Sequence, residues 1–295
     1  MSKDKNSLKD LLSPVAQSVK KDLDMWLIEA GTPSSLAAAM RYCMEGGKRL
    51  RPALVMFSAQ AAGGNAEDEL VRRCAVAVEM VHVYSLVHDD LPAMDDDELR
   101  RGRPTAHIKF GEAMAILTGD SLLTRAFGVL AQSGSPLAGR LAGELSAAAG
   151  PTGMVGGQVA DMAMCDVPAG YDGLEYIHRR KTGAIITAAA RMGAIAAGAD
   201  ENKLAAISDY ASALGLAFQV CDDILDATGS TVELGKTAGK DLQAGKRTVV
   251  SELGLEKACE LNESLTAQAR AALEPLGHKA DILAELVGLL AERTN

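Results

Sequence analysis

Hydrophobic residues recur at helical spacing along almost the whole chain of 295 residues, and no other feature limits the possible folds as strongly. The clearest stretches are residues 11–28, 67–91 and 201–226. No segment alternates polar and apolar residues between turns, as a half-buried strand would. Aromatic residues make up only 3% of the chain, while alanine, leucine, valine and methionine are abundant, which favours helices over strands. The sequence therefore predicts an all-α fold.

Further helices are expected near residues 110–133, 136–149, 152–165, 171–198, 249–273 and 279–293. Thr32 followed by Pro33 fits an N-cap with proline at the first helical position, and Asp200 is expected to cap a helix that begins at Glu201. No linker rich in glycine, serine or proline divides the chain, so residues 1–295 are predicted to form a single domain. We expect about ten or more helices in total, which is more than a simple four-helix bundle contains.

Composition excludes several classes of protein. The formal net charge of -9 argues against a general nucleic-acid binder. No run of apolar residues is long enough to predict a membrane span, and the first residues lack the apolar run of a signal peptide. The five cysteines form no CxxC pair and are odd in number, so we expect reduced cysteines in a cytoplasmic protein.

Two clusters of aspartates follow long apolar helical stretches. The first contains Asp89, Asp90 and Asp95, and the second contains Asp222, Asp223 and Asp226. Carboxylates at a helix C-terminus face an unfavourable dipole and repel one another, so a bound cation would compensate both. Mg²⁺ prefers carboxylate and phosphate oxygens. The clusters therefore predict a site with several Mg²⁺ ions that binds a diphosphate, although two solvated acidic helix ends remain the alternative.

Basic segments lie before, between and after the acidic clusters. They are Gly46-Gly47-Lys48-Arg49-Leu50-Arg51-Pro52, Arg100-Arg101-Gly102-Arg103, Arg179-Arg180-Lys181-Thr182-Gly183 and the glycine- and lysine-rich residues 227–247. Arginine forks and lysine point charges suit phosphate oxygens. We expect residues 227–247 to form either a mobile basic lid or a solvated surface loop. Two diphosphates next to apolar helices imply substrates with phosphorylated heads and hydrocarbon tails.

Together these motifs resemble the short-chain trans-isoprenyl diphosphate synthases of the polyprenyl synthase family, and most closely the bacterial farnesyl diphosphate synthases. The resemblance also rests on Gly156-Gly157-Gln158, on the run from Leu86 to Asp95, and on the run from Gln219 to Asp226. It implies an isoprenoid synthase fold, usually a homodimer, with a central apolar pocket. It also implies Mg²⁺-dependent condensation of isopentenyl diphosphate with dimethylallyl and then geranyl diphosphate.

The resemblance also implies roles for individual residues. Asp89, Asp95 and Asp222 would coordinate about three Mg²⁺ ions, with Asp90, Asp223 and Asp226 as further ligands or supports. The allylic diphosphate would contact Arg100, Lys181, Lys236 and Lys246. The isopentenyl diphosphate would contact Lys48, Arg51, His82 and Arg101. Thr182 and Gln219, with Lys181, would lie beside the developing cation. His88 is expected to be structural.

Product length depends, in the resembled family, on the residue five positions before the first aspartate. That residue is Tyr84, followed by Ser85. An aromatic side chain there tends to close the pocket at fifteen carbons, so the expected product is (2E,6E)-farnesyl diphosphate. A purely structural Tyr84 is the alternative. A geranylgeranyl diphosphate synthase, a class I terpene cyclase and a noncatalytic subunit of a heteromeric prenyl synthase are the rival functions.

Overall fold

The computed structural model describes residues 7–228 and 247–291, and within these ranges it is a helical bundle. This confirms the all-α prediction. The first helices are α1 Leu8–Trp26, α2 Ser34–Met44, α3 Leu50–Ala62 and α4 Glu69–Asp89. The next are α5 Ala106–Phe110, α6 Glu112–Ala131, α7 Ala138–Ala149, α8 Met154–Asp161, α9 Tyr171–His178 and α10 Ala184–Ala196. The last are α11 Glu201–Thr228, α12 Val249–Leu253, α13 Leu255–Ala272 and α14 Asp281–Ala291.

Helices α3, α4 and α10 form the centre of the bundle. Nearly every side chain of α3 is buried, and α4 and α10 are buried on most of their faces. A helix that is apolar on all sides belongs inside a protein rather than at its surface. Helix α4 packs against α3 and α6, while α10 packs against α3 and α11. The two helices that carry the aspartates, α4 and α11, are therefore held by a common core.

Several local predictions need correction. Pro33 occupies the N-cap of α2, so the predicted cap, Thr32, lies one residue before the observed N-cap. The predicted helix over residues 171–198 is interrupted by a π-helical turn, Arg179–Gly183. A glycine at position 254 divides the helix expected over residues 249–273. Asp200 does cap α11, because its Oδ1 accepts a 2.9 Å hydrogen bond from the Lys203 N–H.

A β-hairpin that the sequence pattern did not predict connects α4 to α5. Its strands are β1 Leu99–Arg100 and β2 Arg103–Pro104, which pair antiparallel. Each strand has only two residues, too few for an alternating pattern to be visible in the sequence. The hairpin turn consists of Arg101 and Gly102, both with positive φ. Two arginines of the predicted site, Arg100 and Arg101, are thus placed at the tip of a hairpin.

Two helices, Glu112–Ala131 and Glu201–Thr228, are long and apolar enough to cross a membrane by length and composition alone. In the bundle, α11 packs against α10 and α13, and α6 packs against α4 and α7. The side chains of α11 lie largely inside the core. Helix α6 is less covered, with Ile116 and Leu117 exposed to solvent.

Close contact between α3 and α10 requires a glycine at position 193. A Cβ atom added to Gly193 would lie 2.0 Å from the Val55 carbonyl oxygen. We expect Gly193→Ala to lower the free energy of unfolding by about 1–3 kcal/mol through overpacking. Urea denaturation measures this change.

Gly143→Ala provides the control for that substitution. Gly143 lies on α7, and an added Cβ there would have no neighbour within 4 Å. Because alanine favours the helix, this variant should gain up to about 1 kcal/mol. Equal losses in the two variants would contradict a packing origin.

Candidate active site

The first aspartate cluster lies where α4 ends. Asp89 is the last residue of α4 and Asp90 follows as its C-cap. The Asp95 backbone N–H donates a 2.8 Å hydrogen bond to the Asp89 carbonyl oxygen. The turn through Pro92 therefore folds back on the helix end. The backbone of Asp95 is thereby brought close to that of Asp89.

The Asp89 carboxyl group is partly buried, and burial disfavours its ionised form. Burial raises its pKa to about 6; Lys181 opposes this shift and the Asp95 carboxylate adds to it. The Gln158 side-chain N–H donates a 3.0 Å hydrogen bond to Asp89 Oδ1. A positive ligand at this point would relieve both the burial and the repulsion.

Asp90 makes a different contact from its neighbour. It is buried, and its Oδ1 accepts hydrogen bonds from Nε of Arg100, at 3.0 Å, and from Nη2. Arg100 Nη2 also lies 3.5 Å from Asp97 Oδ2. In this structure Asp90 thus orients Arg100. Its role as a metal ligand remains a prediction.

Cations cluster around His82, which lies two turns before Asp89 on α4. Burial and the charges of Arg51, Arg101, Arg49 and Arg100 hold the pKa of His82 well below its usual value. His82 is therefore neutral at pH 7. The Nε of Arg51 is buried and has no hydrogen-bond acceptor within the described ranges. A buried donor without an acceptor costs free energy, and an anion would satisfy it.

The backbone at this cluster is strained in two places. Arg49 and Arg101 have φ of 56° and 55°, a left-handed conformation that is uncommon outside glycine. Arg49 has a structural contact, because its Nη1 donates to Glu79 Oε1 at 2.5 Å. Arg101 lies over Gly47, where an added Cβ would come within 2.7 Å of a guanidinium nitrogen. The glycine motif thus leaves room for the Arg101 side chain.

The second aspartate cluster lies near the C-terminal end of α11. Gln219, Asp222 and Asp226 are partly buried there. Asp222 acts electrostatically on Arg51, which places the second cluster near the cation cluster. Asp223 Oδ2 accepts a 2.7 Å hydrogen bond from the Val249 N–H and lies 3.5 Å from His178 Nε2. One oxygen of Asp223 therefore anchors α12, and its role toward a metal stays a prediction.

Lys181 and Thr182 lie in the π-helical turn between α9 and α10. The Lys181 ammonium group forms a 2.6 Å ion pair with Asp161 on α8. A Cβ added to Gly157 would lie 2.2 Å from the Lys181 backbone nitrogen, so α8 packs directly on this turn. Single π-helical turns are frequent at functional sites.

Helix α8 contributes two residues that received no role from the sequence. Gln158 contacts Asp89, and Asp161 contacts Lys181. The three-residue spacing of Gln158 and Asp161 puts them on one face of α8. This spacing, directly after Gly156-Gly157, is the sequence pattern from which a shared role of the two side chains could have been predicted.

Tyr84 is buried one helical turn before Asp89. Its ring meets the His88 ring edge to face, with the centroids 5.8 Å apart. The His88 Nε2 atom lies 3.1 Å from the Ile116 carbonyl oxygen, which ties α4 to α6. The Ser85 hydroxyl donates to the His82 carbonyl oxygen at 2.8 Å. Both a pocket floor and a packing role fit the position of Tyr84.

The oxygen-rich donor set suits Mg²⁺. Among the described residues, no three or more His, Cys, Asp or Glu side chains are grouped closely enough to hold a metal ion by themselves. Mg²⁺ commonly binds through one or two carboxylates and completes its coordination with water and substrate phosphates. The partly buried Asp89 carboxyl group, whose pKa is raised, fits such an arrangement. Lys236 and Lys246, and most of the predicted loop 227–247, lie outside the described residues.

Known proteins share this arrangement of helices. The model of the polyprenyl synthetase family matches residues 33–286. The farnesyl diphosphate synthase of Escherichia coli K12 is 47% identical over 80% of this chain and 80% of its own length. Geranylgeranyl pyrophosphate synthase 11 of Arabidopsis thaliana is 43% identical over 98% of this chain and 83% of its own. The structure of the Pyrococcus horikoshii geranylgeranyl pyrophosphate synthetase superposes with a TM-score of 0.86 at 28% identity, covering 96% of this chain and 98% of that one.

Anion binding at the cation cluster should depend on the space above Gly47. We expect Gly47→Ala to displace the Arg101 guanidinium and to weaken the binding of inorganic diphosphate by about tenfold, the value of one charged hydrogen bond. Isothermal titration calorimetry measures this affinity.

Gly31→Ala separates this displacement from backbone strain. Gly31 has a φ of +86°, close to the +88° of Gly47, but an added Cβ there would meet nothing within 4 Å. The control should lose stability and keep its affinity for diphosphate. A comparable loss of affinity in both variants would refute the displacement of Arg101.

Proposed function

Because the chain belongs to the polyprenyl synthetase family, we propose that it is a Mg²⁺-dependent farnesyl diphosphate synthase. It condenses isopentenyl diphosphate with dimethylallyl and then geranyl diphosphate. The observation that carries this proposal is the pairing of two aspartate clusters, each with partly buried members, with a cation cluster in which the buried Arg51 Nε lacks an acceptor in the described chain. Such a site suits two diphosphates, one bound through metal ions and one bound directly.

Binding of the two substrates follows from the contacts of the cations. Arg51 and Arg101, with Lys48, bind the diphosphate of isopentenyl diphosphate, and neutral His82 can donate a further N–H. On the allylic side Arg100, held by Asp90, and Lys181, held by Asp161, face the other diphosphate. Both cations are thus held in place before the substrate arrives, which lowers the cost of ordering them on binding.

The chemical step is electrophilic. Mg²⁺ held by Asp89, Asp95 and Asp222 would supply positive charge that stabilises the departing diphosphate. The allylic carbon–oxygen bond breaks and its electron pair leaves with the diphosphate. The double bond of isopentenyl diphosphate then forms the new carbon–carbon bond to the allylic carbon. A proton leaves the adjacent carbon and is accepted by the released diphosphate, while Thr182 and Gln219 lie beside the positive charge.

The farnesyl product is supported by the buried position of Tyr84 one turn below the aspartates. A geranylgeranyl diphosphate synthase is the alternative, because relatives of comparable identity carry that name. A noncatalytic subunit is a weaker candidate, since both aspartate clusters are intact. A product assay with isopentenyl diphosphate and dimethylallyl or geranyl diphosphate decides among the three, through a fifteen-carbon product, a twenty-carbon product or none.

Helix α6 supports a homodimer as part of the proposal. Ile116 and Leu117 on α6 and Ile108 on α5 are exposed large apolar side chains. A second copy of the chain would cover this surface. The odd number of cysteines and the lack of a CxxC pair in the sequence favour a reducing compartment, and we place the protein in the cytoplasm.

Removal of single carboxylates should abolish the reaction. Asp89→Ala or Asp222→Ala is expected to lower kcat by at least about a hundredfold, because charge stabilisation of the leaving group is lost. Turnover is measured with and without Mg²⁺. Asp209→Ala is the control, since Asp209 is an exposed aspartate on α11. Near-normal activity in both site variants would contradict the metal assignment.

Shortening the side chain at position 84 should lengthen the product. Tyr84→Ala removes the proposed pocket floor, so twenty-carbon and longer products are expected in place of the fifteen-carbon product. Mass spectrometry of the products reads chain length directly. An unchanged product from a folded and active variant would place the floor elsewhere.

The oligomeric state should depend on the apolar surface of α6. Leu117→Glu introduces a charge on a side chain that is 54% exposed in the single chain. We expect it to convert a dimer into a monomer in sedimentation velocity. A wild-type protein that sediments as a monomer would refute the dimer.

A further inference from the structure

The hairpin that carries Arg100 and Arg101 is too short to be stable by itself. Its strands have two residues each, and an isolated two-stranded hairpin is marginal in water. Its turn, Arg101-Gly102, has positive φ at both positions, as a type I′ hairpin turn requires. Arginine is a poor choice for such a position, which suggests that its side chain is needed there. Contacts outside the hairpin must therefore hold it.

One flank of the hairpin is held by Asp90, which binds Arg100. The other flank is held from α2 by Tyr42. The Tyr42 hydroxyl donates a 2.7 Å hydrogen bond to the carbonyl oxygen of Pro104, the last residue of β2. The guanidinium carbon of Arg103 lies 4.0 Å from the centroid of the same ring.

Tyr42 also fixes the segment that follows the hairpin. The Lys109 ammonium nitrogen lies 3.7 Å from the Tyr42 ring centroid, and the Phe110 ring packs edge-on at 5.3 Å. Each cation–π contact stabilises the arrangement modestly. A single aromatic side chain thus contacts both β2 and α5. No motif in the sequence singled out this residue.

We propose that Tyr42 is a positioning residue for the substrate-binding arginines. Tyr42 itself does not need to touch substrate. It holds β2 so that the strained turn keeps Arg101 over Gly47 and Arg100 against Asp90. The inference deepens the proposed function and rests on it for the identity of the substrates.

Two variants separate the hydroxyl from the ring. Tyr42→Phe removes only the hydrogen bond to Pro104, so the KM for isopentenyl diphosphate should rise by less than about fivefold. Tyr42→Leu also removes the ring contacts, and KM should rise by about tenfold or more. In both variants kcat should stay within about threefold, since the reacting groups are unchanged. A fall in kcat with an unchanged KM would overturn the proposal.

A double variant tests whether Tyr42 acts through Arg101. If it does, adding Tyr42→Leu to Arg101→Gln should raise KM little beyond the value for Arg101→Gln alone. If the effects of the two substitutions on KM multiply independently, the proposal is overturned. Tyr176→Leu is the matched control, because Tyr176 also carries a guanidinium over its ring, that of Arg180 at 3.5 Å, but lies on α9. The KM of Tyr176→Leu for isopentenyl diphosphate should equal that of the wild type.

Calorimetry with inorganic diphosphate distinguishes failure of this inference from failure of the proposed function. Tyr42→Leu should weaken diphosphate binding by about tenfold, and Tyr176→Leu should leave it unchanged. If the wild type binds diphosphate but makes no prenyl product, the proposed function fails and the binding comparison still decides the role of Tyr42. Equal affinity in wild type and Tyr42→Leu, or no binding by the wild type, overturns the inference.

Discussion

The architecture of this molecule is organised around charged groups that are held close together at the ends of buried helices. The core ends on one side in carboxylates whose ionisation is opposed by burial, and it is flanked by arginines that repel one another. Asp89 represents the acidic groups, with a pKa raised to about 6. Arg51 represents the basic groups, with a buried Nε donor that lacks an acceptor in the described chain. A ligand that carries both metal cations and phosphates neutralises the acidic and the basic groups. The apolar core holds these groups in place until the ligand binds.

Glycines allow this charge to be assembled from several helices. Gly157 lets α8 reach the backbone of Lys181, and Gly193 lets α10 reach α3. Close backbone approach places short side chains such as Gln158 and Asp161 within hydrogen-bond distance of Asp89 and Lys181. Rigid positioning of this kind is the protein's main contribution to electrostatic catalysis.

The sequence predicted most of the longer helices and the main charged residues because both are local patterns. Helix α3, which is buried on nearly every side, was not predicted. Helical periodicity located α4 and α11, and crowded carboxylates marked their ends. The pairing of Asp90 with Arg100 and the anchoring of α12 by Asp223 could not be predicted, because they depend on which way a side chain turns after folding. The hairpin was not predicted for a different reason, because two-residue strands leave no periodic pattern in the sequence. Tyr42 acts through contacts with residues about 60 positions away, and spacing in the sequence does not encode them.

The π-helical turn Arg179–Gly183 sets the phase between two helices. A π turn holds one residue more than an α turn, so α10 is rotated by about 100° relative to a regular continuation of α9. The apolar face of α10 meets α3 only with this offset, while the turn itself points Lys181 toward α8. If the same residues continued α9 as a regular helix, the core face of α10 would turn away from α3. The π turn therefore lets one continuous segment serve both the core and the ion pair of Lys181 with Asp161.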